Sequence, residues 1–162
     1  MSKRNLLTLI LIVVSNLIFA QQNTILYKKD PPNIGKDNEA IVIFQLLSPA
    51  EIQQKKMNET GAKKYNQYLK KHAKIYEGKK EFMTIEEIKA IDFSQPNNYK
   101  YIFSIKTLRG YESNVWPYNF GLTEIETGIT YICDKIYLGN KSKELKKEVI
   151  FFEKARKRNA SK

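Results

Sequence analysis

One cysteine and one histidine in 162 residues leave little material for metal or thiol chemistry. With Cys133 alone, no intrachain disulfide can form, so stability has to come from a packed core. A zinc-type site needs three or four His, Cys or carboxylate ligands, and HExxH does not occur. The seven glycines are scattered and form neither GxGxxG nor GxxxxGK[ST], and there is no G-x-S-x-G nucleophile elbow. The sequence therefore points to no metal and no cofactor. Acidic residues are also few, 17 against 28 Lys and Arg, for a formal net charge of +11. A surface this basic attracts polyanions such as nucleic acid, anionic lipid or acidic envelope glycans. Long apolar runs are missing too. The longest stretch, 6–14, is broken by Thr8, whereas a bilayer span takes about 20 apolar residues.

That short run sits behind Lys3 and Arg4 and is followed by Ile18-Phe19-Ala20 before Gln21-Gln22. A positive start, a brief greasy centre and a small residue at the boundary resemble a secretory signal peptide of the bacterial type, residues 1–20. Cleavage would start the mature chain near Gln21, and no cysteine follows to accept a lipid. Export to the periplasm or beyond argues against nucleic acid as a partner. It confines membrane contact to the uncleaved signal segment. The remaining 142 residues suit one domain with a real core.

Residues 21–38 are polar, with Pro31-Pro32 and Gly35, and read as an extended leader. The run 40–47, AIVIFQLL, has strand length and is apolar enough for burial on both faces. Ser48-Pro49-Ala50-Glu51 then matches a helix start, with proline at the first helical position, and 58–61 interrupts that helix. Between 63 and 80, seven lysines and three tyrosines surround His72. At about 100° per residue, Tyr65, Tyr68, Leu69, His72 and Tyr76 share one stripe, with Lys63, Lys70 and Lys74 opposite. Lysines and rings thus do not interleave on one surface, as a base-stacking groove would require. Thr84-Ile85-Glu86-Glu87 is a capping box opening a short helix to Ile91. Residues 94–98 read as a turn, and 99–108 alternate as a half-exposed strand.

Farther on, Thr123-Glu124-Ile125-Glu126 again looks like a helix start. Leu122, Ile125, Ile129, Ile132 and Ile136 follow at spacings of three and four. A helix over 123–137 is the expectation, although the β-branched content and Gly128 fit a strand. Residues 142–158 read as a final helix of strong helix formers, with VIFF at 149–152 as a possible buried strand. The tail from 141 carries nine basic residues against Glu144, Glu148 and Glu153.

Candidate catalytic groups are His72 and Cys133, which could form a dyad only if the fold brought them together. A histidine among tyrosines is otherwise a hydrogen-bonded core residue, and a single cysteine a small buried hydrophobe. Glu86/Glu87 and Glu124/Glu126 are carboxylate pairs, but acids at helix starts complement the backbone dipole without any chemistry. The densest aromatic loop, Tyr111 with Trp116, Tyr118 and Phe120, is the candidate ligand-binding feature. Its plainer role is to plug the end of the core.

These features add up to an α+β fold of several helices on a small, mostly antiparallel sheet. It would occupy 39–158, followed by a basic tail end at 159–162. The expected role is that of a small exported basic protein, a non-enzymatic binder of an anionic envelope component or a protein partner. The alternative is a small secreted hydrolase acting on cell-wall or peptide substrates.

Overall fold

The computed structural model describes residues 24–54, 58–107, 118–133 and 141–161. Residues 1–20, expected as a signal peptide, lie outside them. In chain order they form β1 (Ile25–Tyr27), β2 (Ile41–Leu46), α1 (Pro49–Gln54) and α2 (Glu59–His72), whose end tightens into a 3-10 turn at Ala73–Ile75. Then come β3 (Lys80–Thr84), α3 (Ile85–Lys89), β4 (Tyr99–Thr107), β5 (Tyr118–Glu124), β6 (Thr130–Ile132) and α4 (Lys141–Ala160). The protein is α+β.

Local signals explain most elements. Ser48 Oγ accepts the Glu51 N–H at 3.0 Å and so caps α1. Asn58 starts a new helix, accepting the Gly61 N–H at 3.0 Å. Along α2, Ala62, Tyr65, Leu69 and His72 are buried, while Lys63, Lys64, Lys70 and Lys71 face water. The capping box of Thr84 and Glu87 forms in full at α3. In α4, Leu145, Val149, Phe152 and Ala155 make the inward stripe, so the VIFF run is helical.

The sheet has six strands in the order β1-β6-β5-β4-β2-β3. It corrects the expectation of a mostly antiparallel sheet. β2 runs parallel to both β3 and β4, and β1 runs parallel to β6; only β4–β5 and β5–β6 are antiparallel. Parallel neighbours need crossovers of a dozen or more residues. Segments 47–79 and 85–98, with their helices, supply them. Because β2 lies between two partners, Val42, Ile43 and Phe44 are all buried, as its unbroken apolar run requires.

The helix expected over 123–137 is a β-hairpin across the described part of that range. Gly128 sits at φ +69, outside the helical region, and its N–H reaches Glu124 O at 2.9 Å. Thr123 and Thr130 face each other with hydroxyls 2.9 Å apart. β-branched residues at alternate positions favour strands, and here they outweigh the three-and-four spacing. The Thr-Glu pattern that resembles a cap serves the turn, where Thr127 Oγ1 donates to Glu124 Oε2 at 2.8 Å.

One sheet face carries Val42, Phe44, Tyr101, Phe103, Phe120, Leu122 and Tyr131, and it packs on α2 and α4. Phe44 and Phe103 centre the layer with rings 5.2 Å apart. Residues 24–38, expected as an extended leader, carry β1 and are fastened to the end of α4. Ile34 is buried in the core, and Asn159 Nδ2 donates to the carbonyls of Pro31 and Ile34 at 3.0 Å each.

Candidate functional site

His72 ends α2, where the buried stripe meets the first turns of α4. Its Nε2 lies 2.9 Å from Ser142 Oγ, and Tyr68 stacks 6.5 Å away. Burial lowers the imidazole pKa, and the positive charges of Lys71 and Lys146 lower it further. The ring is therefore neutral near pH 7. Among the described residues its only hydrogen bond is to Ser142, and no carboxylate orients Nδ1 as a nucleophile's base requires.

Cys133 follows β6 and is partly buried. Its backbone N–H lies 3.0 Å from both oxygens of Glu148, a carboxylate with no exposed surface. Ser142 and Glu148 are six residues apart on α4, a rise of about 9 Å. His72 and Cys133 thus anchor to separate turns of one helix, and no hydrogen bond joins them.

Of the aromatic loop, Tyr111 and Trp116 lie outside the described residues, and Tyr118 opens β5 opposite Thr107. Phe120 is a core ring, stacked on Tyr65 with centroids 6.1 Å apart and 1% exposed, so it faces no ligand. Three of the four paired carboxylates have structural partners, and Glu126 is exposed. Glu87 closes the α3 capping box and Glu86 accepts from Ser48 Oγ at 2.9 Å. Buried Glu124 gathers Asn33, Tyr101 and Thr127.

At the far end of α4 three cations have partners among the described residues, whereas Lys154 is exposed with no carboxylate within ion-pair distance. Arg156 grips Glu153 through Nε at 2.9 Å and Nη2 at 2.8 Å, Lys157 meets Glu77 at 2.9 Å, and Arg158 pairs with Asp30. On α2 and its following turn, Lys64, Lys70, Lys71 and Lys74 are exposed and have no carboxylate within ion-pair distance among the described residues. Lys146 of α4 is in the same state, and both Lys71 and Lys146 act on His72. The unneutralised charge therefore crosses the seam between the two helices.

No family model, curated protein or solved structure matches this chain significantly.

Among the described residues no three of His, Cys, Asp and Glu come together as a metal ion needs, and no helix is long and apolar enough to cross a membrane. The exposed lysines form a cationic face on α2 and α4. Sequence reading placed its lysines correctly on the outer side of α2. It missed Ser142, seventy positions from its histidine partner and in no motif with it.

Proposed function

We propose that this chain is a small exported binding protein that engages an anionic envelope polymer through the lysine face of α2 and α4. The supporting observation is the set of lysines at 64, 70, 71, 74 and 146, exposed and without a carboxylate within ion-pair distance among the described residues. Surface ion pairs bring little stability, so leaving these lysines unpaired costs the fold little and keeps an attractive field for a polyanion. Export and the envelope as destination rest on the leader sequence. The hydrolase alternative draws on the 2.9 Å contact of His72 with Ser142, but without a group to orient the imidazole it is the weaker reading.

The test is binding of the purified protein to dextran sulfate, with neutral dextran as control. Between about 0.1 M and about 1 M sodium chloride the screening length falls from ~10 Å to ~3 Å, and affinity should fall steeply with it. Replacing Lys64, Lys70, Lys71 and Lys74 with Gln should weaken binding at least ~10-fold and flatten the salt dependence. Salt-independent binding, or an unchanged quadruple variant, rules the reading out.

A further inference from the structure

β3 is the last strand of the sheet and pairs along one side only, with β2. Its register on β2 runs without a bulge from Lys80 to Thr84, and it holds no proline. The Val42 N–H reaches Lys79 O at 3.0 Å, which sets the phase of the ladder. Glu81 and Met83 therefore turn their backbone groups toward β2, while Lys80 and Phe82 turn theirs outward. Among the described residues no hydrogen bond takes up the Phe82 N–H or carbonyl.

An open edge invites another strand, and proteins blunt such edges with bulges, proline or outward charges. The centre of β3 has none of these. Phe82 lies on the helix side of the sheet with its ring 5.8 Å from that of Phe44. At 36% exposed it is the only large hydrophobic residue at the surface among the described residues. Lys80, the neighbour best placed to guard the edge, folds back to the Tyr76 carbonyl.

Charge along the edge selects the mate. Lys79 and Lys80 stand at its start, and exposed Glu86 and Glu87 follow its end. Glu39 offsets one lysine and Lys89 faces one acid, so each end keeps its sign. A second copy running parallel would set like ends together. An antiparallel copy sets each lysine end beside the acidic end of its mate, which is self-complementary and closes as a two-fold. Centring the axis on Glu81 would face two like charges directly, a destabilising pair. Centring it on Met83 would set Phe82 against Thr84, whose N–H is already bonded to Glu87. Centred on Phe82, the two rings meet and each Phe82 N–H donates to the other Phe82 carbonyl.

We propose that this protein forms a two-fold dimer by antiparallel pairing of β3 with β3 of a second copy, centred on Phe82. The axis stands normal to the sheet, so α2 and α4 of both copies lie on the same side of one continuous sheet.

The test begins with sedimentation velocity of the purified protein under reducing conditions, where monomer should pass to dimer as concentration rises. Hydrogen exchange at the Phe82 amide should slow in step. Phe82→Lys alters an exposed edge position, so it should leave the circular dichroism unchanged and raise the dimer Kd at least ~10-fold. Facing Cα atoms at a hydrogen-bonded antiparallel site stand about 5.5 Å apart, within disulfide range. In a Cys133→Ser background, Phe82→Cys should therefore oxidise to a dimer bridged at position 82, and Glu81→Cys or Met83→Cys should not. A monomer at every concentration, a dimer indifferent to Phe82→Lys, or bridging that favours 81 or 83 over 82 overturns the proposal. So does growth into longer oligomers, which would mean pairing of β3 with β1 at the opposite edge. Dimerisation is read without any polyanion, so it fails separately from dextran sulfate binding.

Discussion

Asn159→Ala would show how firmly the two ends of the described chain are joined. Asn159 is 9% exposed, and its Nδ2 donates to Pro31 O and Ile34 O at 3.0 Å each. Alanine removes both donors and leaves two carbonyls facing protein. A neutral hydrogen bond contributes about 1 kcal/mol net, and a buried acceptor left without one costs about 1–3 kcal/mol. Alanine's better helix propensity returns about 0.6 kcal/mol. The expected loss is about 2–4 kcal/mol, which at roughly 2–4 °C per kcal/mol for a domain of this size lowers Tm by about 4–16 °C. Urea unfolding followed by circular dichroism measures the total. Hydrogen exchange at Lys28, whose N–H reaches Ile132 O at 2.8 Å, reports whether β1 loosens first. A loss under about 0.5 kcal/mol with unchanged exchange at Lys28 refutes the clamp, since it would leave both carbonyls satisfied without Asn159.

Gly35→Ala should be at least as damaging. The residue sits at φ +87, and a Cβ would lie 2.3 Å from the Arg156 carbonyl oxygen, backbone against backbone with no flexible tip to yield. A Tm within about 1 °C of wild type, read by scanning calorimetry, refutes that contact. Acid should weaken the fold in two pH windows. The folded His72 binds its proton less readily than the ordinary 6.5, through burial and then Lys71 and Lys146. Its contribution is full above that value and is lost as pH falls through it toward the lower folded pKa. Glu153 is pushed up by burial, but the Arg156 fork and the Glu77 amide outweigh this and hold it below the ordinary 4.5. Its contribution is therefore present above 4.5 and lost as pH drops through the folded value. Urea midpoints measured across pH should fall in both windows, and His72→Gln should remove the upper step. A flat profile from about pH 7 to pH 5 contradicts the assigned direction for His72.

The elements legible in the sequence are those whose signal is local. The AIVIFQLL run, the Ser48-Pro49 start, the stripe of Tyr65, Leu69 and His72 and the Thr84–Glu87 box all declare themselves within a few residues, and all form. The hairpin at 125–129 misled because isoleucines three and four apart match a helical face. Its alternating β-branched residues and the left-handed Gly128 carried the better signal. Strand order was beyond reach, since parallel pairing depends on where long crossovers return the chain, and no residue spacing encodes that. The same holds for the sites. Lysines opposite a buried stripe can be read from one helix, whereas His72 and Ser142 meet only through the folding of segments seventy residues apart.

The pairing of β1 with β6 sets an order of events. Ile25 lies beside Thr130, so the first strand leaves the ribosome about a hundred residues ahead of its neighbour. At about 5–20 residues per second that is a wait of roughly 5–20 s. The helix that fastens the turn behind β1 is made later still. The centre of the sheet, β2 with β3 and β4, can assemble early from its own crossovers. Closure then becomes a late step that depends on contacts between distant parts of the chain, the kind that slow folding most.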